Sequence, residues 1–409
     1  MIGRRQIFTR RDEHSSSSMT KLLSHGAVCC SGLAIALAFF VNSAAADPAA
    51  APTAAPMSTP AMTGPLTANP NPSSFDAGLG SIYVTGMVTA LGMVQSNATH
   101  GYPDNGSSAL DLSNGQISLQ KTDGLVQFYV QAGEYSMPSL GAAYIKSSQL
   151  TSHTFGVVPV GYLKLQLSDT FSVEVGKLST LIGAEYTFTT ENMNIERGLL
   201  WNVEPAISRG VQVNYASGPL SMSVSLNDGY YSNKYNWISG LISYAIDSNN
   251  TLAFAGGGNV GESSTSTFAT SPVLNNSQIY NLLYTYNSAP VLINPYIQYQ
   301  HVDRNSTLGL ASGSDWGFGV LATYTLSDRW SLSGRAEYET SSGAQNLLYG
   351  SKSSAYSFTV TPTWQNKLFF IRGDLSYTGL SSECADCGFG SNFNKDDQFR
   401  AMVETGVIF

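Results

Sequence analysis

Charge is scarce in this sequence. Of its 409 residues only 12% are Asp, Glu, Lys or Arg, about half of what a soluble domain carries, although the hydrophobic share is an ordinary 43%. Ser, Thr, Asn and Gln make up the difference, with 39 Gly and 22 Tyr, and this mixture favours strands and turns over helices. Helical periodicity is missing as well. Beyond Ser81 no stretch repeats its apolar residues every three to four positions, and no run approaches the roughly 20 apolar residues of a membrane helix. Catalytic signatures are also lacking: there is no H-E-x-x-H and no G-x-S-x-G. The glycines of "GGGNVG" (256–261) close a strand-like segment and open a polar loop, so no helix follows to receive a pyrophosphate. His100, His153 and His301 fall at or near polar loops without a partnered nucleophile. No catalytic residue, metal site or cofactor is expected, and with a net charge of -8 no nucleic-acid partner.

Cysteine is down to four residues. Cys29 and Cys30 sit in the apolar run "AVCCSGLAIALAFFV", which follows Lys21 and precedes "NSAAADP" with its A-x-A site. Residues 1–46 therefore read as an export signal cleaved after Ala46, an uncleaved anchor being the alternative. Met19, beside Lys21, makes a more ordinary start, so residues 1–18 read as an extension. Cys384 and Cys387, in "SSECADCGFG", lack a second Cys pair and a βα context; a small loop-stapling disulfide is expected. Residues 47–75 are rich in Ala and Pro and read as an extended, flexible linker.

What is present from residue 76 onward is period two. In 330–339, Trp330, Leu332, Ala336 and Tyr338 alternate with Ser331, Ser333, Arg335, Glu337 and Glu339, giving one apolar and one wet face. Sixteen such segments occur, near 81–96, 115–121, 124–133, 160–167, 171–177, 209–215, 219–227, 237–246, 250–259, 276–287, 291–301, 314–326, 330–340, 354–365, 368–379 and 397–409. Their connections alternate strictly between tight turns and long polar loops, and several apolar stripes begin or end in Trp, Tyr or Phe. Even number, aromatic strand ends and loop-length parity together predict an all-β fold: a transmembrane up-and-down antiparallel β-barrel of about 16 strands (14–18) over residues 76–409. Short turns would face the periplasm and long loops the exterior of a bacterial outer membrane. A soluble sandwich needs none of these three features.

At "VEVGKLSTLIGAEY" (173–186) and "NIERGLLWNVEPAISRGVQVNY" (194–215) the sequence resembles the OmpL-like β-barrel porin family, through Val175, Gly176, Lys177, Gly183, Glu185, Arg197, Pro205, Gly210 and Val211. Leu178 and Ser179 depart from the expected aromatic and polar residues. The resemblance extends more loosely over about 110–409 and implies a porin-like barrel without catalytic residues.

The wet face carries the expected function. Lys164, Glu174, Arg335, Glu337, Glu339, Arg372, Asp374, Arg400 and Glu404 are predicted to line the pore, and sixteen strands leave an aqueous channel. Opposed charges across it would orient passing solutes; the alternative is internal salt bridges that hold a plugged barrel. The loop at 178–208, with Glu185, Glu191, Glu196, Arg197 and Glu204, would form a constriction of mild cation preference if folded inward. The expected function is passive diffusion of small hydrophilic solutes or ions, with a structural or adhesive barrel of closed lumen as the alternative. The last segment alternates Phe399, Ala401, Val403, Thr405, Val407 and Phe409 with Arg400 and Glu404, so Phe409 is expected to act as an assembly signal for the barrel-insertion machinery. Other expected partners are the lipid bilayer and the solutes. A homotrimer stays open, because no outer face stands out as a subunit contact.

Overall fold

Residues 64–98, 106–381 and 387–409 are described by the computed structural model. The expected export signal, the front of the linker, His100 and Cys384 lie outside them; Cys387 is disulfide-bonded.

Each alternating segment forms a strand. β1 is Ser73–Asp76, β2 Ser81–Gln95, β3 Ser108–Lys121, β4 Val126–Tyr135, β5 Val160–Gln166, β6 Phe171–Ser179, β7 Ile207–Ser217, β8 Leu220–Asn227 and β9 Trp237–Ala245. β10 is Asn250–Asn259, β11 Ser277–Ser288, β12 Val291–Val302, β13 Gly313–Thr325, β14 Trp330–Gly343, β15 Ser354–Asn366, β16 Phe369–Ser381 and β17 Asp397–Ile408. Neighbours in sequence pair antiparallel from β2 to β17, and β17 returns to β2 with Arg400 opposite Gln95 and Ile408 opposite Met87. The sheet is thus a closed sixteen-stranded barrel. Closure leaves no open edge, as hydrocarbon surroundings demand.

The two strand faces separate as the alternation requires. Trp330, Leu332, Tyr338, Phe358, Leu375 and Val403 are exposed outward, whereas Arg335, Glu337, Thr359, Arg372 and Arg400 are buried inside. Aromatic belts mark both rims. Trp330 pairs with Trp364, which stands 6.0 Å from Phe369, beside the short turns. Tyr299 and Trp316 meet tilted, with ring centres 4.6 Å apart, toward the long loops. The glycines of 256–258 make room within β10: a Cβ on Gly256 would strike the Tyr280 ring at 2.6 Å, and one on Gly257 the Trp237 indole nitrogen at 2.7 Å.

Three differences from the sequence expectation have physical causes. β3 begins at Ser108 rather than near 115, because a register shift between Thr89 and Ala90 puts Ser113 and Asn114 together on the buried side and breaks the alternation. The long loops hold two short helices, α1 (Ser147–His153) and α2 (Pro272–Asn275). The linker expected through 75 ends early. Ser73–Asp76 pairs with β2, and ahead of it Leu66 is buried among Met87, Phe370 and Ile408 inside the barrel's turn end. There the Gln365 side chain clasps the backbone: the Thr67 amide donates to Gln365 Oε1 at 2.8 Å, and Gln365 Nε2 donates to the Thr67 carbonyl at 2.9 Å.

At the seam, Gly86 and Phe409 exchange backbone bonds at 2.8 and 2.9 Å. The Phe409 ring lies over Gly86, where a Cβ would meet it at 2.6 Å.

Candidate functional site

Between β6 and β7 the chain runs from 180 to 206 as the third long loop, and it packs against the inner wall. Its local shape comes from its own polar side chains. Glu191 accepts from the Phe188 amide at 3.0 Å. Asn192 accepts from the Tyr186 amide at 2.7 Å and donates to the Tyr186 and Phe188 carbonyls. Gly198 is bare because the Glu337 carboxylate occupies the space a Cβ would fill, and Gly183 because that of Glu204 does. The second loop is sewn on where the Arg197 amide donates to the Pro138 carbonyl and the Leu140 amide to that of Arg197.

Three arginines then fasten the loop to β14, β16 and β17. Arg335 donates to Glu185 and to the Glu196 carbonyl, both at 2.6 Å. Arg372 pairs with Glu404 at 2.6 Å and donates to the Thr189 and Asn192 carbonyls. Arg400 pairs with Glu196 and reaches the Ser139 and Ala142 carbonyls of the second loop. Carboxylates complete the clamp: Glu337 accepts from the Leu199 and Leu200 amides, Asp374 from that of Glu196 at 2.9 Å, and Glu404 from the Thr189 hydroxyl at 2.6 Å. All six of these wall side chains are nearly inaccessible to water. Side chains expected to oppose one another across an open lumen are therefore consumed in holding the loop, because each arginine finds a carboxylate and loop carbonyls within reach.

The loop's own charges face the same way. Glu185 and Glu196 are neutralised by Arg335 and Arg400. Arg197 lies over the Trp201 ring at 5.3 Å, and burial lowers its pKa to about 10. Burial raises Glu191 to about 8 and lifts Glu204 well above the ordinary carboxyl range, the latter with both oxygens lacking hydrogen-bond partners among the described residues. The negative constriction expected of the loop at 178–208 is thus not presented to the lumen. Signals for this were available in sequence only as a count of buried-face arginines; their partners could not be read.

Across the lumen the wall is different. Lys164 and Glu174 stand opposite each other on β5 and β6, both only partly buried. Beyond them β7–β9 carry the uncharged Gln212, Asn214, Ser223, Ser225, Asn227 and Ser239, of which only Asn214 and Ser223 are partly exposed, linked by amide and hydroxyl bonds of 2.7 to 3.0 Å such as Gln212 to Asn214 and Asn227 to Ser239. Between this wall and the stems of the third loop lies a cavity of about 10 Å³, the size of one water. Among the described residues no group of three or more His, Cys, Asp or Glu is arranged to hold a metal. His153 is on α1 and His301 sits beside Ser314 and Asp303 at the loop rim.

A barrel of sixteen strands with its third loop turned inward matches one family model. Residues 81–409 fit "Putative beta-barrel porin-2, OmpL-like". The chain belongs to this OmpL-like porin family. It is an outer-membrane porin, as its sequence resemblance implied. Among curated proteins none matches its sequence. Solved structures share the porin's fold at low identity. OmpT of Vibrio cholerae, folded in vitro, is 11% identical with a TM-score of 0.55, covering 82% of this chain and 100% of its own. An anion-selective porin from Comamonas acidovorans is 12% identical, also at 0.55, covering 80% and 99%.

Proposed function

We propose that this porin passes small, uncharged hydrophilic solutes by diffusion along the Gln, Asn and Ser wall of β7–β9. The observation that carries it is the division of the inner wall: nearly all formal charge is spent on the half that holds the third loop, while the opposite half is built of neutral amide and hydroxyl side chains, with Asn214 and Ser223 partly exposed. Hydroxyl and amide groups replace a polyol's hydration without favouring either sign of ion. Passage requires no catalytic group, and the arginines and carboxylates have a structural task. Swelling of proteoliposomes in a series of sugars tests this, together with reversal potentials in a salt gradient. Size-graded sugar entry with a near-zero potential supports it; a strongly selective potential, or folded protein without swelling, sinks it.

The same reading includes two partners. β5, β6, β8 and β9 have only 7, 9, 8 and 9 residues, at or below the roughly 9–11 that cross a bilayer, while β13 to β17 have 12 to 14. A further copy of the chain against the outward Leu163, Val175 and Val224 would cover the short wall, as in a homotrimer. Mass measurement in mild detergent checks it, and a monomer counts against it. The outward Phe409 ring at the seam suits recognition by the insertion machinery; deleting Phe409 should lower outer-membrane levels more than it alters conductance.

A further inference from the structure

Three inward side chains on adjacent strands carry oxygens that no described residue satisfies. Gln300 on β12 stands directly opposite Asp315 on β13, and Glu339 on β14 lies one diagonal step from Asp315, since Asp315 pairs with Ser341 and Gly317 with Glu339. All three are at most 2% exposed. Both Asp315 carboxylate oxygens, Glu339 Oε2 and Gln300 Oε1 lack a hydrogen-bond partner among the described residues. The Gln300 amide nitrogen donates to Ser277 of β11 at 3.2 Å and to the Val203 carbonyl of the third loop at 3.4 Å, so its oxygen is the part of the amide left without a partner among the described residues. Among the described residues no cation pairs with them: Arg335, the arginine on β14, is engaged by Glu185 and Glu337.

Removing two carboxylates from water with few donors and no counter-charge in contact among the described residues is strongly unfavourable. Directly opposed residues have Cβ atoms about 5 Å apart and diagonal ones about 7–8 Å, a spread that Asp and Glu side chains can close around one ion. We propose that Asp315, Glu339 and Gln300 bind a divalent cation of the calcium type. Two carboxylates match its charge, and an amide oxygen with waters completes the all-oxygen shell such an ion takes. Asp315 is the third residue of β13 and Glu339 lies four residues before the end of β14, so the site sits just beneath the long-loop rim. The ion ties β12, β13 and β14 together where loops leave the barrel. The site is separate from the neutral wall proposed for solutes.

Terbium, a luminescent stand-in for calcium, tests this on the full barrel in detergent, with folding checked by heat-modifiable gel migration. Expected is one terbium per chain, sensitised by the neighbouring Trp316 and displaced by calcium, with binding at least tenfold weaker in Asp315→Asn and in Glu339→Gln. Wild-type-like terbium binding in the folded double variant, or failure of calcium to displace it, overturns the proposal. Should the variants not fold, the wild-type unfolding temperature decides: it rises with calcium but not with sodium chloride of equal ionic strength, and equal responses overturn the site in favour of carboxyls that simply hold protons.

Discussion

Arg372 and Glu404 face each other from β16 and β17, 2.6 Å apart, and both grip Thr189 of the third loop, the arginine at its carbonyl and the glutamate at its hydroxyl. One ion pair thus serves as wall and as clamp.

Removing one member strands the other. Arg372→Met should cost about 3–5 kcal/mol, the usual penalty for breaking a buried pair, whereas Arg372→Met with Glu404→Leu should cost clearly less. Urea unfolding of the folded barrels measures both, and additive losses would contradict the account.

Ion preference should ignore the loop glutamates. Replacing both partners, Glu185→Gln with Arg335→Gln or Glu196→Gln with Arg400→Gln, removes a neutral pair and should leave the reversal potential where it is. Lys164→Glu, on the open wall, should move it toward cations. The opposite ranking in a planar bilayer would mean that solutes pass on the loop's other side.

The segment ahead of β1 should matter to stability. Leu66→Ala opens a void among Met87, Phe370 and Ile408 and should cost at least about 2 kcal/mol. Gln365→Ala removes both bonds to Thr67. An unchanged unfolding midpoint in both variants would show that the segment merely rests there.

Acidity should stabilise the barrel through Glu204. Burial holds its pKa well above the ordinary 4.5, so the folded chain keeps a proton that the unfolded chain releases. Stability therefore falls as pH rises through that ordinary value, until the buried group ionises too. Glu204→Gln should flatten this part of the profile and raise stability at pH 8 relative to wild type. A pH profile unchanged by the substitution would rule Glu204 out as its source.

How much of this was legible beforehand follows from the range of each interaction. Alternation along β14 from Trp330 to Glu339 placed every side chain on its proper face, because strand period two is a local property. The sixteen strands and their turn parity were readable for the same reason. β3 was read short because a register shift places two consecutive polar residues, Ser113 and Asn114, on one side. The fate of Arg335, Arg372 and Arg400 could not be read. Their sign and face were visible, but whether they met water or Glu185, Thr189 and Glu196 depends on contacts between distant parts of the chain. Leu66 was hidden in the same way, inside a Pro-rich stretch that looked incapable of burying anything.

The clamp also sets a timetable. Glu185 waits for a partner 150 residues later, Thr189 for one 215 residues later and Glu196 for one 204 residues later, and contacts of such separation form late. The third loop can therefore be fully clamped only once β14, β16 and β17 are in place. Until β17 meets β2 there is neither a sealed wall nor a loop in its seat, so a half-assembled barrel has no finished channel to leak through.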